Sequence, residues 1–193
     1  ESFGNPFEDA PLDTWIDENI LQEHIHATGP HGINELNMFD DAQNPKYPRM
    51  PGSASDMAGM KRIMDGYDTG ILYADYLIGQ IFDLLKEQGN YDDTAIIITS
   101  DHGENMGELS IYSEHGTADY PTCHIPFIIK WPGVKPGSSD GELHYSLDLL
   151  PTMAELLGVD PWEKWDGQSY AKTITSGEPQ GRDSLVLSQM AHV

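Results

Sequence analysis

Apolar positions recur in two distinct rhythms along the chain, and the rhythms sort it into helices and strands. Between Ser55 and Gln88 they fall at Ile63, Tyr67, Ile71, Ala74, Leu77, Ile81 and Leu84. Steps of three and four keep one face of an α-helix apolar, so this span is a long helix. Ser53 or Ser55 can cap its start, and Gly89 stands where a left-handed terminal residue is wanted. A shorter helix is predicted from Asp13 to Thr28, with Asp13 or Thr14 as cap and a stripe of Trp15, Ile16, Ile20 and Leu21. Gly29-Pro30 stops it. A third is predicted from Asp148 to Leu157, with Pro151 in its first turn and Gly158 beyond its end.

The second rhythm is unbroken. Thr94 to Thr99 and Ile125 to Trp131 are short, apolar and rich in β-branched residues. They read as strands buried on both faces, the type found in parallel sheets. A last strand is predicted over Ser184 to Met190. Helices alternating with buried strands predict an α/β fold with a mostly parallel sheet flanked by helices. Residues 1–13 and the Pro-, Asn- and Gly-rich stretch from His31 to Ser53 read as loops, the second long enough to suggest a place near a site.

Acidic residues outnumber basic ones 32 to 10, for a net charge of −22. Such a surface repels phosphate backbones and argues against nucleic acid as a partner. It repels any anionic substrate too, unless a bound cation reverses the field locally. No apolar run approaches the roughly 20 residues of a membrane span. Cys123 is the single cysteine, which rules out an internal disulfide and a thiolate metal cage. It reads as a small buried residue beside the second strand.

The chemistry is concentrated in Ser100-Asp101-His102-Gly103-Glu104, directly after the first strand. Ligands of open parallel sheets bind beyond the carboxyl ends of strands. Asp101 offers a hard anionic oxygen and His102 a neutral nitrogen, and Gly103 lets the backbone turn, so both can reach one cation. The same residues could instead cap a helix and pack against it. Glu104 could orient His102 or simply be a solvated carboxylate. His24 and His26 would share a face on a strand, but on the predicted helix they diverge by about 200°. Trp162 and Trp165 read as packing residues.

The run Asp92-Asp93-Thr94, Ile98 to Glu104, Gly107-Glu108, Glu114-His115-Gly116, Ile125 to Gly133 and Asp148-Leu149-Leu150-Pro151-Thr152 resembles the sulfatase family of the alkaline phosphatase superfamily. Tyr67, Asp75 and Gly79 fit the same pattern upstream. The resemblance covers about residues 55 to 160. It implies an alkaline phosphatase/sulfatase-like α/β fold that is incomplete, with residues 1–193 as the C-terminal portion of the catalytic domain.

The resemblance also implies hydrolysis of sulfate monoesters, with phosphonate or phosphate ester hydrolysis, or a non-catalytic module keeping the fold, as alternatives. Asp101 and His102 match the family's second pair of metal ligands. Many sulfatases carry Asn at the second position and bind calcium; His there leaves calcium first, manganese or another divalent metal second. His115 matches the position that contacts the sulfate and the leaving oxygen. His31 falls in the substrate-side region and is a weaker candidate for the cleft. The expected substrate is a sulfated small molecule or glycan, and a periplasmic or secreted location follows from the family. The nucleophile is a formylglycine made within Cys/Ser-x-Pro-x-Arg, and no such motif occurs in these 193 residues. The chain alone is therefore expected to be inactive. An open sheet edge would further favour self-association.

Overall fold

Residues 4–12, 15–36, 51–160 and 162–188 are described by a computed structural model. They form two units. One takes the described residues up to Tyr91 together with Ser100–Ile125, the other Asp92–Thr99 together with Pro126–Ser188.

In the first unit, α1 spans Glu18–His26 and is capped by Asp17, whose side chain accepts from the N–H of Ile20. The caps expected for it, Asp13 and Thr14, lie outside the described residues. Helix α2 spans Met57–Glu87. Its cap is Asp56, which accepts from Gly59 N–H, rather than Ser53 or Ser55. An acceptor there satisfies one of the orphan donors of the first turn. Gly89 follows the helix with φ 71°, as the sequence requires. The core joins Ile16, Leu21, Ile33, Leu36, Ala54, Met60 and Ile63 to Met106 and Tyr112. Burying side chains of this size supplies about 1.5–3 kcal/mol each. Only the start of α2 takes part. The apolar stripe farther along, from Tyr67 through Ile71 and Leu77 to Ile81 at 58% exposure, faces outward.

Strand β1, Ile96–Thr99, belongs to the second unit. The chain then enters the first unit as a hairpin of β2, Asn105–Met106, and β3, Tyr112–Glu114, followed by a short helix α3, Tyr120–Cys123. Asn105 pairs with Glu114 and Met106 with Tyr112. The extra residue on β3, Ser113, has φ 52° and makes a bulge. Cys123 ends α3, half-buried. Strand β4, Phe127–Lys130, returns to pair with β1.

That pairing is antiparallel, Ile96 opposite Lys130 and Thr99 opposite Phe127. The expected mostly parallel sheet is thus corrected. A parallel pair needs a crossover that carries the chain back to the start of the first strand, whereas residues 100–126 leave and re-enter at one end. The strands are not buried on both faces either: Ile128 is 61% exposed. An unbroken apolar run cannot by itself distinguish parallel from antiparallel pairing.

The rest of the second unit is a 3-10 turn, Ser146–Asp148, running into α4, Leu149–Leu156, and then α5, Ala171–Ser176. Asp148 is its hub. Its carboxylate accepts from the Arg182 guanidinium, from Gln168 N–H at 2.7 Å and from Tyr145 N–H at 2.8 Å. Burial opposes its ionisation, yet these partners outweigh burial and hold the carboxyl below its ordinary range. The strand expected at Ser184 is absent over residues 184–188. Just before it Arg182 makes an isolated bridge to Leu143, and the Val186 carbonyl accepts from the Tyr145 hydroxyl at 3.0 Å. The remainder of that expected strand lies outside the described residues. Among the described residues no helix is long and apolar enough to cross a membrane.

Candidate metal and ester-binding site

The hairpin register dictates which side chains meet. With Asn105 opposite Glu114, the next residues outward, Glu104 and His115, face each other. Glu104 Oε2 lies 3.5 Å from His115 Nδ1. The loop after β1 then folds over the same spot. Gly103 N–H donates to the carbonyl of Thr122 at 2.8 Å, drawing the loop against α3. The approach is so close that a Cβ on Gly103 would stand 1.9 Å from the carbonyl oxygen of Pro121. Only glycine fits there.

This closeness stacks the His102 ring on that of His115, centroids 4.0 Å apart and planes 14° from parallel. His102 Nδ1 lies 2.8 Å from the Gly103 carbonyl oxygen, which can only accept. Nδ1 therefore carries a proton, which in the neutral ring leaves the lone pair on Nε2. Asp101 is 90% exposed at its side chain, and its Oδ1 is 3.8 Å from His102 Nε2.

The donor set fits a divalent cation. Metal–ligand bonds of roughly 2–2.5 Å put neighbouring ligand atoms roughly 3–4 Å apart. Asp101 Oδ1 and His102 Nε2 stand within that spacing and open to solvent. A second grouping overlaps the first: one ligand atom each from His102, Glu104 and His115 lie within 4.8 Å of one another. His102 is common to both. Burial raises the Glu104 carboxyl above its ordinary value, although His115 and His102 pull the other way.

Glu114, beside His115, is bound on all sides. Its Oε1 accepts from the N–H of His115 at 2.9 Å and from that of Gly116. Its Oε2 meets His31 Nε2 at 2.9 Å. Burial would raise the carboxyl, but the N–H groups of Gly116 and His115 and the facing His31 hold it low. His31 is itself 6% exposed, turned toward Glu114.

His24 is not a member of the cluster of His102, Glu104 and His115: its Nδ1 and the Tyr112 hydroxyl share a hydrogen bond of 2.6 Å. Burial lowers the His24 pKa and pushes the Tyr112 phenol up to about 12.

Pattern reading brought forward Asp101, His102 and His115, which the fold gathers, and left Glu104 open between two roles. It missed Tyr112 and Asn105. Asn105 is fully buried, its amide donating to Thr117 and Asp119 while its Oδ1 has no partner among the described residues. No residue-level signal marks these two, because their roles depend on a hairpin too short to show alternation.

The sulfatase family model matches residues 23–159. The chain belongs to the sulfatase family. Among curated proteins, the multifunctional alkaline phosphatase superfamily protein PehA of Trinickia caryophylli is 32% identical over 130 residues, 66% of this chain and 25% of that protein. The phosphonate monoester hydrolase SpPMH of Silicibacter pomeroyi is similar in structure, with TM-score 0.59 and 33% identity over 63% of this chain and 24% of that one. BT4656, solved in complex with its substrate D-glucosamine-2-N,6-O-disulfate, gives TM-score 0.54 and 26% identity over 61% of this chain and 24% of its own. The sulfatase-family chain thus spans about a quarter of the length of these relatives.

Proposed function

We propose that this sulfatase-family chain supplies part of the metal site and the leaving-group acid of an enzyme that hydrolyses sulfate monoesters. The observation that carries the reading is the stacking of His102 and His115 at 4.0 Å beside the Asp101 carboxylate, within the span matched by the family. Asp101 and His102 would hold a divalent cation. The family resemblance puts calcium first, and the imidazole brings in manganese or another divalent metal as the second choice. When bound, such an ion draws charge from the ester oxygens and offsets the chain's negative surface.

His115 would act on the other side of the ester. Cleavage of the S–O bond leaves charge on the bridging oxygen, and a proton delivered there from Nε2 neutralises it. Glu104, facing Nδ1, steadies the protonated ring. The attacking nucleophile would come from elsewhere in the polypeptide, as formylglycine, since the Cys/Ser-x-Pro-x-Arg motif is absent here. A sulfated sugar or small sulfate ester would suit the site.

A second reading is hydrolysis of phosphonate or phosphate esters. The higher identity to SpPMH than to BT4656 supports it. Paired 4-nitrophenyl sulfate and 4-nitrophenyl phenylphosphonate assays on the full-length protein separate the two. A sulfatase would favour the first in kcat/KM. Exclusive turnover of the phosphonate would replace the first reading with the second. Turnover of neither would refute both.

A further inference from the structure

His115 can deliver a proton only if its backbone is held still, and the structure shows what holds it. It sits just past the end of β3, after the Ser113 bulge, where the strand ladder no longer constrains it. Its N–H and that of Gly116 both end on Glu114 Oε1. A carboxylate gripping two successive N–H groups fixes the peptide between them. The other oxygen, Oε2, is fixed in turn by His31 Nε2 at 2.9 Å, in a setting where the two side chains are only 8% and 13% exposed.

His31 is no loose loop residue. Its φ is 58°, a left-handed conformation that a non-glycine residue keeps only when its surroundings impose it. Its carbonyl accepts the N–H of Tyr112 at 2.7 Å, and Tyr112 is held again by His24. The segment from α1 to His31 therefore grips β3 at its first residue through Tyr112 and at its last through Glu114.

We infer that His31 and Glu114 are positioning residues: His31 orients the Glu114 carboxylate, and Glu114 sets the backbone that aims His115 at the leaving oxygen. The inference rests on the proposed role of His115. It assigns His31 an action through Glu114 in place of a direct touch on substrate.

The test uses the full-length protein and two aryl esters of whichever class the wild type hydrolyses, one with a 4-nitrophenolate and one with a plain phenolate leaving group. Only the phenolate depends heavily on an acid, because nitrophenolate departs without one. Glu114→Gln keeps Oε1 as an acceptor but puts an amide where Oε2 faced His31; His31→Gln removes the ring. Each variant should lower kcat for the phenyl ester by about 10–100-fold, the range found when a supporting partner is lost. The 4-nitrophenyl ester should lose much less, with KM and melting temperature near wild type. The double variant should be no worse than Glu114→Gln alone, since both changes act through one group.

Equal losses on the two esters, or wild-type rates on both, overturn the inference. If His31→Gln does not fold, Glu114→Gln decides alone by the same ratio. A wild type that hydrolyses neither ester class refutes the proposed function itself, which is a different result from an active wild type whose variants show no leaving-group dependence.

Discussion

Replacing Gly103 by alanine should disable the site with a single methyl group. The new Cβ would stand 1.9 Å from the Pro121 carbonyl oxygen, 3.0 Å from its carbon and 3.3 Å from Thr122 Cα. All three are backbone atoms, so no side chain can swing aside. Contacts below 3.0 Å essentially never occur for a real Cβ, so the loop and α3 must part by at least 3.0 − 1.9 = 1.1 Å. That breaks the 2.8 Å bond from Gly103 N–H to Thr122, worth about 1 kcal/mol. Overpacking adds about 1–3 kcal/mol, so the loss is about 2–4 kcal/mol. A shift of about 1 Å at a reacting group costs about 100-fold in rate, and His102 and Asp101 ride on the displaced loop. The assay is kcat/KM on the full-length protein, with a melting curve and metal content in parallel. Gly79→Ala is the control. Gly79 lies on α2 with nothing within 4 Å of its Cβ position, and alanine there should stabilise by up to about 1 kcal/mol. Wild-type activity, metal content and melting in Gly103→Ala would refute the argument that close approach to α3 sets the loop.

Three further outcomes are expected. Asp101→Ala and His102→Ala should each reduce the metal content of the purified full-length protein by at least about 10-fold in affinity, read by elemental analysis and titration; chelation should abolish activity and excess metal restore it. Asp148→Asn should destabilise by at least about 1 kcal/mol at neutral pH, since the Gln168 and Tyr145 N–H groups lose a charged acceptor. Because the folded carboxyl titrates below its ordinary value of 3.8, its contribution is complete above that pH and fades as pH falls through the folded value. The gap in urea midpoint between wild type and Asp148→Asn should therefore shrink on acidification below about 4. Last, the 193-residue chain by itself should self-associate through the outward stripe of Ile71, Leu77, Ile81 and Leu84; sedimentation velocity would show concentration-dependent species, and Ile81→Lys should reduce them.

How far the sequence revealed this architecture depends on how locally each feature is encoded. Helix α2 was legible because thirty-odd residues repeat one spacing, and periodicity needs nothing beyond the helix itself. Its cap was misplaced by a residue or more because Ser53, Ser55 and Asp56 are all competent acceptors; only the backbone angle at Asp56, φ −149°, chooses between them. The direction of the β1–β4 pairing was illegible, since Ile-rich runs look alike whichever neighbour they take. Asp101, His102 and His115 were visible as residue types in a familiar order. The stacking of His115 on His102 was not, because it depends on the bulge at Ser113 and on α3, four residues that no pattern announces. His31 shows the same limit: its neighbourhood in sequence suggested an exposed loop, whereas a partner 83 positions away, Glu114, buries it.

The antiparallel clasp of β1 and β4 has a consequence for how such a protein can change. Thr99 and Phe127 are paired, so residues 100–126 begin and end at a fixed point. Every candidate ligand and acid named above except His31 lies inside that excursion. The entropy of closing a loop grows only logarithmically, about 0.6 kcal/mol for each doubling of length. Insertions within this loop, for instance at the hairpin tip over residues 107–111, are thus nearly free for the clasp. The excursion can therefore lengthen, one small splice at a time, with the β1–β4 pairing left untouched.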